Sequence, residues 1–199
     1  MTNNDKGKAK RHFFLAVEIP PHIADHIHQT QSVLPDTWHA KEKLDYHCTL
    51  AYFGSIEDNR LDELKNEISQ ISYNPFPLHV SGFDCFHRTN SGRKDHVLFA
   101  KFNDAAQSEV KNLHSKVISH LRLKKFKIGR LDIHPHITIR KVPQIDRDES
   151  AMIDFIRHHE NFKTSPWVAD HMVLYESLPH RLRESGKRTY FEECRFALG

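Results

Sequence analysis

The chain alternates short apolar runs with stretches in which apolar residues return every three or four positions. Phe13 to Ile19 predicts a strand ended by Pro20-Pro21, and Ile23, Ile27 and Leu34 then recur at helical spacing up to Pro35. After a polar connector, His47 to Phe53 predicts a second strand, stopped at Gly54-Ser55. Leu61, Leu64, Ile68 and Ile71 form the stripe of a second helix, with Asp58 or Asn59 as its cap. Pro75 and Pro77 mark a boundary. Beyond it, Leu78 to Phe86 and His96 to Phe102 predict two strands joined by the polar turn RTNSGRKD, where Gly92 can supply a positive φ.

The remaining chain repeats this order. A helix begins near Asp104 and carries Ala106, Val110, Leu113, Val117 and Leu121 on one face. A strand around His136 follows, between Pro135 and Pro143. A fourth helix spans Asp148 to His159, with Met152, Phe155, Ile156 and His159 inward. Strands at Trp167 to Tyr175 and Thr189 to Leu198 flank a basic turn, LPHRLRESGKR, with Gly186. Helix, strand, helix and strand pair thus occur twice. The expected fold class is α+β: two pseudo-symmetric lobes, each a mainly antiparallel sheet with helices outside, and an active cleft between them.

Bulk properties narrow the setting. At 199 residues with 38% hydrophobic side chains, the chain can bury a real core, and its mean hydropathy of -0.63 is that of a polar-surfaced protein. No apolar run approaches the ~20 residues of a membrane span. Residues 1–10 are polar and basic and read as a disordered leader, leaving 11–199 as a single bilobal domain. Three cysteines without CxxC spacing argue against a disulfide framework and for a reducing cytoplasm. A net charge of +3 permits an anionic ligand without suggesting indiscriminate DNA coating. Neither GxxxxGK[ST] nor a dinucleotide-binding glycine fingerprint is present.

Histidine is the outlier, with 17 copies. Two of them head the predicted strands in a shared pattern: His47-Cys48-Thr49-Leu50 and His136-Ile137-Thr138-Ile139. Alternation along a strand puts His47 with Thr49 on one face, and His136 with Thr138. Cys48 then points the other way, into the core. Facing each other across a cleft, the two pairs would offer two proton-transfer groups and two hydroxyl donors, enough for an in-line displacement at phosphorus. The competing reading is a pair of ordinary strand histidines beside threonines chosen for β propensity. Chelation by His134 and His136 with His158, His159 or Glu160 is another, although HExxH and CxxC are both lacking.

Taken with their flanks, the two motifs resemble the two-histidine phosphoesterase superfamily, in its RNA 2′,3′-cyclic phosphodiesterase or 2′-5′ RNA ligase (ThpR/LigT-like) branch. RHFFLAVEIP is similar to that branch's opening strand, HCTLAYFG to its first motif and PHITIRK to its second. LYES, Gly186, Tyr190 and RFAL resemble its closing hairpin. The resemblance implies hydrolysis of 2′,3′-cyclic phosphate ends of RNA or nucleosides to 2′-phosphomonoesters. His47 would be the proton donor to the departing 3′-oxygen and His136 the proton acceptor from water. Thr49 and Thr138 would donate to the non-bridging oxygens, with no metal or other cofactor.

The branch usually carries arginine five residues after the second histidine. Here that position is Lys141, and Arg140 precedes it, so either could reach phosphate; lysine keeps the charge and loses the planar fork. Phe13 and Tyr52 occupy segments that resemble substrate-lining strands, where a ring could stack on a base or simply pack in the core. Arg181, Arg183, Lys187 and Arg188 could track an RNA backbone or be solvated. The expected partner is RNA or a nucleotide with a 2′,3′-cyclic phosphate end, bound by a monomer without membrane association. Two further readings use the same residues: a ligase joining such an end to a 5′-hydroxyl, and a nucleotide- or RNA-binding module without turnover.

Overall fold

The computed structural model describes residues 11–87, 95–129, 133–144, 146–178 and 189–199. The basic leader, most of the RTNSGRKD turn with Gly92, and the turn carrying Gly186, Arg181, Arg183, Lys187 and Arg188 lie outside the described residues.

In chain order the elements are β1 (His12–Glu18), α1 (Pro21–Gln29), β2 (His39–Ala40), β3 (His47–Ser55), α2 (Asp58–Ser69), β4 (Phe76–Leu78), β5 (Val80–Phe86), β6 (Asp95–Phe102), α3 (Asp104–Leu123), β7 (His136–Pro143), α4 (Asp146–His158), β8 (Trp167–Ala169), β9 (His171–Ser177) and β10 (Tyr190–Ala197). One sheet has the order β10-β9-β1-β3 and the other β2-β7-β6-β5, and every pairing in both is antiparallel. Among the described residues, the larger apolar core runs behind both sheets and under all four helices, and a small second cluster joins Phe14 and Ala16 of β1 to Val173 and Tyr175 of β9. Along α3 it takes up Ala106, Val110, Leu113, Val117 and Leu121, each large side chain worth about 1.5–3 kcal/mol on burial. No helix among the described residues is long and apolar enough to cross a membrane.

The duplication is real, and the halves exchange parts. The first motif strand, β3, lies in the sheet that holds the second half's β9 and β10. The second motif strand, β7, lies with the first half's β5 and β6. Each lobe is therefore built from both halves of the sequence. The equivalent short strands β4 and β8 pair with each other.

The structure corrects several boundaries. Leu78 to Phe86 is two strands in different sheets, split at His79, and Trp167 to Tyr175 is likewise split at Asp170. Asp58 is the first helical residue of α2 and not its cap; that place falls to Glu57, which makes no side-chain capping bond. Asn103 does cap α3, its side chain accepting from the N–H of Ala106 at 3.1 Å. The polar connector before β3 contains the short edge strand β2.

Candidate active site

The two motif strands share one pattern of burial and one defect. Each runs half-buried, buried, half-buried, then two buried residues in succession, then an exposed one: His47 to Tyr52 in β3 and His136 to Lys141 in β7. The doubled buried position marks a bulge. Thr49 pairs with Ala16 and Ala51 with Leu15, leaving Leu50 as the extra residue. Thr138 pairs with Phe99 and Arg140 with Leu98, leaving Ile139 extra. A bulge takes a backbone group out of the ladder. Here the Leu50 carbonyl accepts from Nδ1 of buried His114 at 2.7 Å, and the Ile139 carbonyl from the Lys41 N–H at 2.9 Å.

The bulge decides which later residues share the cleft face. Residues directly opposite in an antiparallel pair point to the same side. Tyr52 lies opposite Phe14, whose ring packs on His47, and Lys141 lies opposite Val97, two residues from Phe99, whose ring packs on His136. Tyr52 and Lys141, each five residues beyond its histidine, therefore stand on the same faces as His47-Thr49 and His136-Thr138. Arg140, one residue short, falls on the helix side. It is 8% exposed; its Nε donates to Gln31 Oε1 at 2.9 Å and an Nη to the Trp38 carbonyl at 3.2 Å. Gln31 in turn donates to the Tyr46 hydroxyl. Of the two cations after the second motif, Lys141 faces the cleft and Arg140 holds the wall behind it.

Of the two readings of Phe13, stacking on a base or packing in the core, the structure fits the second. Phe13 is 0% exposed and belongs to the helix-side core, because alternation along β1 sends Phe14 to the cleft. Tyr52, by contrast, is 47% exposed, with its hydroxyl 3.2 Å from Nδ1 of His12.

Both motif histidines are anchored alike. Nδ1 of His47 lies 2.7 Å from the Asp45 carbonyl, and Nδ1 of His136 lies 2.6 Å from the His134 carbonyl. A carbonyl only accepts, so each Nδ1 carries hydrogen and each Nε2 is left to exchange protons. The Asp45 support is itself tied down: its buried carboxylate accepts from the Thr189 N–H at 3.0 Å and the Thr189 hydroxyl at 2.5 Å, next to Tyr190.

The surroundings differ. His47 packs against Phe14, Tyr190 and Tyr175 at centroid distances of 4.7, 5.1 and 6.2 Å. Lys41 reaches into this side, donating to the Tyr190 hydroxyl at 2.6 Å. Burial and then the Lys41 cation hold the His47 imidazole far below its ordinary value, at about 3, against the opposing pull of the Asp45 carbonyl; the charge of His136 adds to the depression. His136 instead meets Phe86 at 5.0 Å and Phe99 at 5.2 Å, with the His134 ring packed on the same two. Cys48 is fully buried and touches the His136 backbone; burial pushes its thiol up to about 12, which makes it a core residue and a poor nucleophile. His158 and His159 bond carbonyls of their own helix at Asp154 and Phe155, and His159 packs on Phe83 in the helix-side core. They do not join His134 and His136.

Lys41, Phe14 and Tyr175 were missed as site residues, and Tyr190 was noted only for its hairpin. Phe14 was accessible from alternation once β1 was paired with β3. Lys41 had no comparable signal, since a polar connector shows neither periodicity nor motif.

Two imidazoles with matched hydroxyls, carried on equivalent strands of two antiparallel sheets, are the arrangement of a two-histidine phosphoesterase. The family model described as the 2′-5′ RNA ligase superfamily matches residues 19–181, and the chain belongs to that family. It is 26% identical over 134 residues to the RNA 2′,3′-cyclic phosphodiesterase of Bacillus subtilis, covering 65% of this chain and 70% of the relative. It is also 26% identical over 165 residues to the enzyme of the same name from Methanocaldococcus jannaschii, covering 82% and 90%. Its fold is that of E. coli LigT, solved with NADP+, at a TM-score of 0.67 and 18% identity over 96% of this chain and 99% of that one. LigT has also been solved with 3′-AMP.

Proposed function

We propose that the chain is a phosphoric diester hydrolase that opens 2′,3′-cyclic phosphates at RNA or nucleoside ends, leaving 2′-phosphomonoesters, without a catalytic metal. The observation that carries this is the pair of histidines anchored identically through Nδ1, each beside a threonine on its cleft face. The names of the two curated relatives support the substrate class, and a 3′-AMP complex of a protein of the same fold supports a nucleotide in the cleft.

The resemblance to the two-histidine phosphoesterases implies the roles. Nε2 of His136 takes a proton from water as the oxygen attacks phosphorus, and Nε2 of His47 gives one to the departing 3′-oxygen. Thr49 and Thr138 donate to the non-bridging oxygens, and Lys41 and Lys141 offset the phosphoryl charge. In the free cleft, burial and Lys41 keep His47 neutral. His47 becomes a donor when a phosphate anion comes between it and Lys41, so binding takes up a proton. The three cysteines, all free, suit a reducing cytoplasm.

The test uses a short RNA ending in a 2′,3′-cyclic phosphate, assayed in EDTA. Wild type should turn over to the 2′-phosphate, and His47→Ala and His136→Ala should fold without turning over. Loss of wild-type activity in EDTA, or full activity in either variant, would refute the mechanism. Adding a 5′-hydroxyl RNA tests for ligation, in which a ribose hydroxyl replaces water at the same site.

A further inference from the structure

A second group of chemistry-bearing side chains lies behind the second sheet, on the face turned away from the cleft. His87 follows β5, His96 is on β6, and Glu149 is in the first turns of α4. One ligand atom from each of the three lies within 4.8 Å of the other two. Nδ1 of His87 is 3.2 Å from a Glu149 carboxylate oxygen, and the His87 and His96 rings are 5.2 Å apart. His96 is 3% exposed, whereas His87 opens to solvent and gives a path in.

Sheet register separates this group from the candidate active site. Phe86 lies opposite Val97 and packs its ring on His136, so its neighbours Cys85 and His87 point to the opposite face. His96, beside Val97, points there too.

We propose that His87, His96 and Glu149 form a binding site for a divalent first-row metal ion of the zinc class. Two imidazoles and one carboxylate suit such an ion and leave a position for water. With Nδ1 of His87 on the metal, its Nε2–H would point at the Cys85 sulfur, 3.0 Å away, the kind of outer contact that fixes a ligand's tautomer. Since the three ligands come from β5, β6 and α4, the ion would clamp the start of α4 to the rim of the sheet that carries His136.

The test titrates chelator-stripped, full-length protein with Co2+ and with Zn2+, following cobalt ligand-field absorption and thermal stability. One equivalent should bind to wild type and raise its Tm. The same should hold for the His47→Ala/His136→Ala double variant, which removes the cleft histidines. Affinity should fall by roughly 10–100-fold or more in His87→Ala and in Glu149→Gln; both replace solvent-accessible side chains, and circular dichroism checks their folding. Binding that is unchanged in those two variants, absent from wild type, or lost in the double variant would overturn the assignment. Cyclic phosphodiesterase activity in EDTA is a separate readout, so this site and the proposed mechanism can fail independently.

Discussion

The two half-sites are copies in sequence, in burial and in backbone, yet they are not chemical copies. Each has a histidine held through Nδ1 by the carbonyl two residues before it, a threonine on the same face and a bulge one residue later. Around His47 the chain adds two tyrosines and a lysine, and the imidazole is driven toward its neutral form. Around His136 it adds two phenylalanines and a third imidazole. The fifth position after each histidine repeats the contrast, Tyr52 on one side and Lys141 on the other. Duplication supplies the geometry, and unequal neighbours give the two imidazoles different surroundings.

Replacing the histidines should break the pair most severely. His47→Ala and His136→Ala should each lower kcat by about 10²–10⁴-fold, read in a single-turnover assay with folding checked by circular dichroism. The two losses should not multiply in the double variant, since one proton relay is removed only once.

Thr49→Val and Thr138→Val should each cost up to about 10²–10³-fold if their hydroxyls meet developing charge. Equal losses would mean that the hydroxyls work as a pair. A loss confined to one would extend the asymmetry of the histidines to their neighbours.

Lys41→Met acts on one half only. It removes a cation that disfavours protonated His47, so the His47 pKa should rise in the free enzyme, while substrate binds less tightly. The KM increase and the pH profile of kcat/KM read the two effects separately. Smaller still is Tyr52→Leu, which should weaken binding by up to about 1–3 kcal/mol if the ring stacks on a base, and leave kcat nearly unchanged.

Stability offers another handle on His47. Its pKa is lower folded than unfolded, so the unfolded chain binds more protons below the ordinary value of 6.5. The His47 contribution is intact above pH 6.5 and is lost as pH falls toward about 3. Urea denaturation at stepped pH should show wild type losing stability more steeply than His47→Asn across that window.

How much of this was legible in the sequence follows from where each signal lives. Strand alternation and helical stripes are local, so the element order, the duplication and the faces of His47, Thr49, His136 and Thr138 could be read directly. The exchange of β5-β6 and β9-β10 between halves could not, because pairing is a long-range property that periodicity does not encode. The bulges at Leu50 and Ile139 had no signature either. They alone put Lys141 on the cleft face and bury Arg140 against Gln31 and Trp38. The choice between base stacking and core packing for Phe13 stayed open for a related reason: a strand apolar on both faces hides which side is which.

The central claim, that His47 gives the proton and His136 takes one, is tested most directly by histidine NMR. Imidazole resonances of both residues, assigned with His47→Asn and His136→Asn, would be titrated free and with a nucleoside 2′-phosphate bound. The account predicts that free His47 stays neutral well below pH 6.5 and becomes protonated near neutral pH when the phosphate binds. A bound complex in which His47 remains neutral while His136 carries the charge would contradict it.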